Sequence, residues 1–141
     1  MTTAIGWFWH CLRHYAKFSG RASRPEYWWF QAVVWIVNLI LHMLSYRIVL
    51  IAAILTVIWN LGVVIPHLAV ASRRLHDSEH SFWWLVPPMF VGLVVLAMGS
   101  AVPGLLLVVW IGLAAAFVWL VCEPGDHGPN RYGEPALTAP N

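Results

Sequence analysis

The chain has 141 residues, 60% of them apolar and only 10% charged, with a formal net charge of +2. A soluble domain this short cannot hide that much apolar surface, because small domains bury a limited share of what the chain exposes. The charge is too small for nucleic-acid binding, and the two cysteines, Cys11 and Cys122, have neither metal-type spacing nor the look of a disulfide framework.

A bilayer accommodates this composition, so the expectation is an all-α membrane protein forming a single membrane domain over residues 1–141. The first element is an amphipathic helix over 5–18. Ile5, Phe8, Trp9, Leu12, Tyr15 and Ala16 share one face at i, i+3, i+4 spacing, and His10, Arg13, His14 and Lys17 share the other. Basic residues and aromatics in that arrangement suit a helix lying in the membrane interface. The charges that interrupt it, and the lack of a small-residue cleavage site, argue against a cleaved signal peptide. Ser19-Gly20 is expected to end the helix.

Four transmembrane helices follow, at 26–46, 48–72, 82–100 and 103–122. Pro25 suits a first helical turn, with Ser23 or Arg24 just outside it. Residues 27–46 and 48–72 carry no formal charge and are long enough to span a hydrocarbon core of ~30 Å. Residues 81–122 are also uncharged. As one helix they would run ~63 Å, so they must fold back, and Gly99 through Gly104 is the punctuated place. Pro66 and the pair Pro87-Pro88 are expected to kink their helices. Gly112 and Ala116 offer a small-residue contact for close helix packing. Residues 123–141 read as a tail, with disorder at its end.

Seven of the eight Lys and Arg residues fall in the N-terminal segment, the bridge between the second and third spans, and the tail; Arg47 stands alone on the other side. The positive-inside rule then places both termini and the bridge in the cytoplasm, and the cysteine at 11 becomes a thiol reachable from that side. Trp28, Trp29, Trp83, Trp84 and Trp119 lie near the same ends of their spans, as an aromatic belt does.

Three segments carry a resemblance: residues 20–28 (GRASRPEYW), Arg73-Arg74-Leu75-His76-Asp77 with Ser81 and Trp83-Trp84, and residues 125–135 with Gly128-Pro129-Asn130-Arg131-Tyr132-Gly133. In this order the chain resembles the small bacterial inner-membrane proteins of the domain of unknown function 805 family. The resemblance implies a multi-span inner-membrane protein and lends no activity. The chain departs from that family's central motif, which has glycine at the places of Glu79 and Phe82 and a basic residue at that of His80.

The candidate site is a cytoplasmic cap of Arg21, Arg24, Glu26, Arg73, Arg74, His76, Asp77, Asn130 and Arg131. Bidentate Arg–carboxylate pairing should tie helix ends together there; the alternative leaves some arginines free for phosphate, from an anionic lipid headgroup or a soluble ligand. Residues 76–80 match the H-x-x-E-H zinc pattern, in which His76 and His80 would share a helical face. No clear third ligand follows, so no metal, catalytic residue or cofactor is assigned. Within the membrane Asn60 and His67 are the polar candidates, either bonding across helices or lining a path. The function expected is a non-enzymatic accessory or assembly subunit of a larger membrane complex, partnered by another membrane protein. A small transporter or channel, self-associated as a homo-oligomer, is the alternative, and a lipid-acting enzyme using His76 and Asp77 comes third.

Overall fold

A computed structural model describes residues 4–101 and 103–136, with the side chain of Ser100 left aside. Val102 of the expected hairpin and the end of the tail, expected to be disordered, lie outside the described residues. The chain forms α1 (Ala4–Arg13), α2 (Arg24–Ser45), α3 (Val49–Asp77), a 3-10 turn at Phe82–Leu85, α4 (Val86–Met98), a second 3-10 turn at Gly99–Ala101, and α5 (Gly104–Cys122). Three of these, α2, α3 and α5, are long and apolar enough to cross a membrane, and Phe82–Met98 is a shorter apolar segment.

Local sequence explains the helix ends. Ser23 caps α2 by accepting from the Glu26 backbone N–H, and Pro25 sits in the first turn where its missing N–H is no loss. At its other end, α3 finishes in a Schellman motif: the His80 N–H reaches the Leu75 carbonyl at 2.9 Å, and the Glu79 N–H reaches His76 at 3.3 Å. That motif needs a left-handed residue, and Glu79 takes it with φ of 60°. Glycine would hold this conformation without the Cβ penalty.

Helices α1, α2 and α3 pack together around Cys11, Phe30, Val34, Val63 and Val70. The α4–α5 hairpin joins them through the 3-10 turn at Phe82–Leu85 and through contacts between α5 and α3. Leu85, Leu120 and Val121 complete the core at that junction. Away from it the helix faces are apolar and exposed, from Ile36, Leu39 and Ile40 on α2 to Leu105, Val108 and Ile111 on α5.

Several local expectations differ from what the chain does. Helix α1 ends at Arg13 rather than near Ser19, because the chain must turn to bring the Ala22 N–H onto the Arg73 carbonyl at 2.9 Å. Its buried side is Trp7, His10 and Cys11, while Ile5 and Trp9 face outward. The expected division into an apolar and a polar face therefore put His10 on the wrong side. The second span, expected to end at residue 72, runs on through the charged bridge, and Arg73 to Asp77 form the last turn of α3. Pro87 and Pro88 lie in the first turn of α4, where they start a helix instead of kinking one. Gly112 has open space around it, and the close helix approach occurs at Gly92, against the Trp110 indole.

Candidate functional site

Two buried ion-pair clusters occupy the end of the molecule where α2 begins and where α3 and α5 finish. In the first, Asp77 divides its carboxylate between two arginines: Oδ1 accepts from Arg21 Nε at 2.8 Å and Oδ2 from Arg74 Nη1 at 2.5 Å. The remaining guanidinium N–H groups reach backbone carbonyls. Arg74 donates to Val121 at 2.9 Å and also to Glu123. Arg21 donates to Gly128 at 2.6 Å and to Asp126 at 2.5 Å. The Val121 and Glu123 carbonyls end α5, where the helix dipole carries partial negative charge and favours a cation, and those of Asp126 and Gly128 belong to the tail.

The tail is locked from below as well. The Asp126 N–H donates to the Asp77 carbonyl at 2.9 Å, and Gly125 passes so close over the Asp77 carboxylate that a Cβ there would overlap it. Asn130 Nδ2 donates to the His76 carbonyl at 3.0 Å and to Asp126 Oδ2 at 2.9 Å. Tyr132 stacks on the His76 ring at 3.8 Å, with planes 2° apart, and Arg131 covers its other side at 4.8 Å while donating to the Glu79 carbonyl. The His76 ring nitrogens face the Gly20 carbonyl at 3.2 Å and the Ser72 hydroxyl at 3.5 Å.

In the second cluster Glu26 Oε1 accepts from Arg73 Nη1 at 2.5 Å. Helix α1 closes over this pair with His10 Nε2 at 3.9 Å and Cys11 Sγ at 3.7 Å from the same oxygen. Burial lowers the His10 pKa below its ordinary value, and the Glu26 charge opposes that shift. Burial, reinforced by Glu26, pushes the Cys11 thiol up to about 12. Cys11 is 1% exposed, so it is not the accessible thiol expected of it. Arg73 keeps two buried N–H groups, at Nε and Nη2, without hydrogen-bond partners among the described residues.

The structure thus brings Arg21, Arg73, Arg74, Glu26, Asp77, His76, Asn130 and Arg131 into one cap. Arg24 is exposed and donates to the Glu123 carbonyl at 3.1 Å rather than to a carboxylate. The expected bidentate pairing is replaced by one carboxylate oxygen per arginine: Arg21 and Arg74 spend their other guanidinium nitrogens on carbonyls, while Arg73 leaves Nε and Nη2 without hydrogen-bond partners among the described residues. The zinc-like pattern is split by the end of α3: Glu79 is left-handed beyond the helix, so His76 and His80 do not share a helical face. A groove of about 380 Å³ lies beside the cap, lined by Arg21, Arg24 and His127 together with Asp77 and Asp126.

In the apolar half, Asn60 Nδ2 donates across the helix pair to Asn38 Oδ1 at 3.1 Å and to the Thr56 carbonyl at 2.8 Å. His67 lies 6.4 Å from the Phe30 ring and lines a cavity with Gln31. Sequence reasoning missed His10, Cys11, Gln31 and Asn38. For Asn38 and Gln31 a signal existed, since each is an amide inside an otherwise apolar span. For His10 there was none, because helical periodicity put it on the polar face.

Inner membrane protein YhaI of Escherichia coli (strain K12) is 33% identical over 127 residues, covering 90% of this chain and 92% of its own length. Inner membrane protein YhaH of the same strain is 33% identical over 133 residues, covering 92% and 94%. No solved structure matches the chain. The match to the family described as protein of unknown function (DUF805) extends over residues 15–134 and takes in every helix after α1 together with the cap, so the chain belongs to that family.

Proposed function

We propose that this is a non-enzymatic inner-membrane subunit that acts by association within the bilayer, and that its polar cap is a clamp on helix ends. The observation that carries the reading is where the buried cap guanidinium groups end. Arg21 and Arg74 are occupied by Asp77 and by backbone carbonyls, and Arg73 is turned onto Glu26 beneath α1. What the molecule offers to a neighbour is its apolar flank instead, on which the small residues Gly112 and Ala116 are both exposed.

The topology belongs to the same proposal: one membrane domain, four spans, an interfacial α1, and both termini in the cytoplasm with the tail. Residues 82–98 support a fourth span, since at helical rises of 2.0 and 1.5 Å per residue they extend about 28 Å, close to the hydrocarbon core, which thins locally to match a short span. The exposed tryptophans Trp29, Trp83, Trp84 and Trp119 support an interface at the cap end. A cysteine placed at His127 in a cysteine-free chain should react with an impermeant maleimide only in inverted vesicles. Labelling in intact cells would reverse the orientation.

The association reading is tested by purification from native membranes in mild detergent, with mass spectrometry of what accompanies the protein. A stoichiometric membrane-protein partner, or a defined oligomer of this chain, is expected. Recovery of monomer with lipid alone would sink it.

A further inference from the structure

The α4–α5 hairpin meets α3 near the cap, where Leu85, Leu120 and Val121 are buried, and a cavity of about 310 Å³ lies between α2 and that hairpin. Its walls come from α2 (Trp28, Gln31, Trp35), α3 (His67) and α5 (Trp110, Phe117). This volume is at the lower end of what small-molecule sites have. Trp35, Met89 and Val118 at its rim are 58%, 40% and 48% exposed, so it opens sideways, toward where acyl chains would lie.

Gln31 is the odd residue in this cavity. It is 7% exposed, and its buried Oε1 has no hydrogen-bond partner among the described residues. An amide buried without a partner is costly in an apolar setting, and apolar residues of the same size would fill the place more cheaply. Oε1 itself is closed off, while Gln31 lines the cavity with the rest of its side chain. Turning the amide about its terminal torsion exchanges Oε1 and Nε2, so the amide can offer either a donor or an acceptor to an occupant. His67 adds a second polar group on the facing helix.

The chemistry of a fitting occupant follows from the lining. Among the described residues none with a formal charge lines the cavity, so a phosphate or carboxylate headgroup would find no partner there. Aromatic walls favour a flat ring. A second, largely apolar groove of about 510 Å³ continues along α4 past Gly92, Leu93 and Leu96, and shares Pro88, Met89 and Trp110 with the cavity. Gly92 keeps that continuation open at the Trp110 indole, where a Cβ would stand 2.8 Å from Nε1.

We infer that the cleft between α2 and the α4–α5 hairpin binds a quinone or quinol, an uncharged ring with carbonyl or hydroxyl oxygens at Gln31 and His67 and an apolar tail along α4. The inference rests on α2, α3 and α5 lying in the bilayer, and it depends neither on orientation nor on a protein partner.

The test uses the full chain in phosphatidylcholine nanodiscs, titrated with decylubiquinone and then with its reduced form, read by quenching of tryptophan fluorescence. Saturable quenching is expected from at least one form. Gln31→Met, which keeps the volume and removes the amide, should weaken binding at least about tenfold, roughly what one lost hydrogen bond supplies. Its thermal midpoint should not fall, because the orphaned acceptor goes with the amide. Ala114→Phe, which fills the cavity from α5, should abolish the saturable phase, and it decides the matter should Gln31→Met fail to fold. Quenching that rises linearly with probe in wild type, or a saturable phase unchanged in both variants, would overturn the inference. So would a wild-type cleft that yields only phospholipid from native membranes. A protein partner found without quinone binding would leave the association reading intact, and the reverse outcome would leave this one.

Discussion

The cap and the cleft handle buried polar groups in opposite ways. Around Asp77 each carboxylate oxygen has its own arginine, and the spare guanidinium nitrogens end on carbonyls of α5 and the tail. In the cleft the amide oxygen of Gln31 is left without a hydrogen-bond partner among the described residues. A saturated network is what helix ends need in order to stay together, and it leaves little for a ligand to bind. An orphan in an apolar cavity does nothing for stability, so it marks a place shaped for something else. The Glu26–Arg73 cluster stands between the two, paired through one nitrogen with two others unpartnered.

The contrast breaks most visibly at Asp77. Asp77→Ala leaves Arg21 and Arg74 buried without their carboxylate, and breaking a buried pair in this way costs about 3–5 kcal/mol. Thermal or denaturant unfolding in detergent should show that loss, whereas Gln31→Met should cost nothing. Gly125→Ala comes next. Its Cβ must displace the Asp77 carboxylate or lift the tail, a strain on the order of 1–3 kcal/mol, and the tail should become sensitive to protease before the helices do.

A smaller effect runs the other way. Glu79→Gly relieves the left-handed position that ends α3 and should stabilise by about 0.5–1 kcal/mol, since Arg131 bonds the backbone carbonyl there and keeps its partner. The smallest is a pH effect at α1. Burial holds the folded His10 pKa below the unfolded 6.5, so the unfolded chain takes up the proton first. The stabilisation from neutral His10 is complete above about pH 6.5 and is lost as pH falls through the folded pKa. A melting curve that flattens over this range in His10→Asn, relative to wild type, is the expected result.

The order of apolar helices was legible because an uncharged run of bilayer length has one common use, and the turns at Ser23-Pro25 and Gly99 carry their own punctuation. The cap was legible in part. Arg21, Arg73, Arg74, Glu26 and Asp77 are rare charges at the edges of apolar blocks, and such groups must find one another. Which arginine meets which acid depends on how far the tail folds back, and Gly125 over Asp77 is visible only in three dimensions. Helix α1 misled because a 3.6-residue period sorts apolar from polar, while the buried side of α1 is chosen by Glu26, which takes a histidine and a thiol as neighbours. The glycine of the family's central motif at the place of Glu79 was a usable sign of a left-handed turn, and this chain keeps the turn without the glycine.

The most direct test of the clamp is backbone amide exchange in nanodiscs at Ala22 and Asp126, whose N–H groups bond to the Arg73 and Asp77 carbonyls at 2.9 Å from two separate segments of chain. Both should be protected in wild type and should lose protection together in Asp77→Asn. Rapid exchange at either site in wild type, or loss at Asp126 with Ala22 unchanged in Asp77→Asn, would contradict a cap that holds the helix ends as one unit.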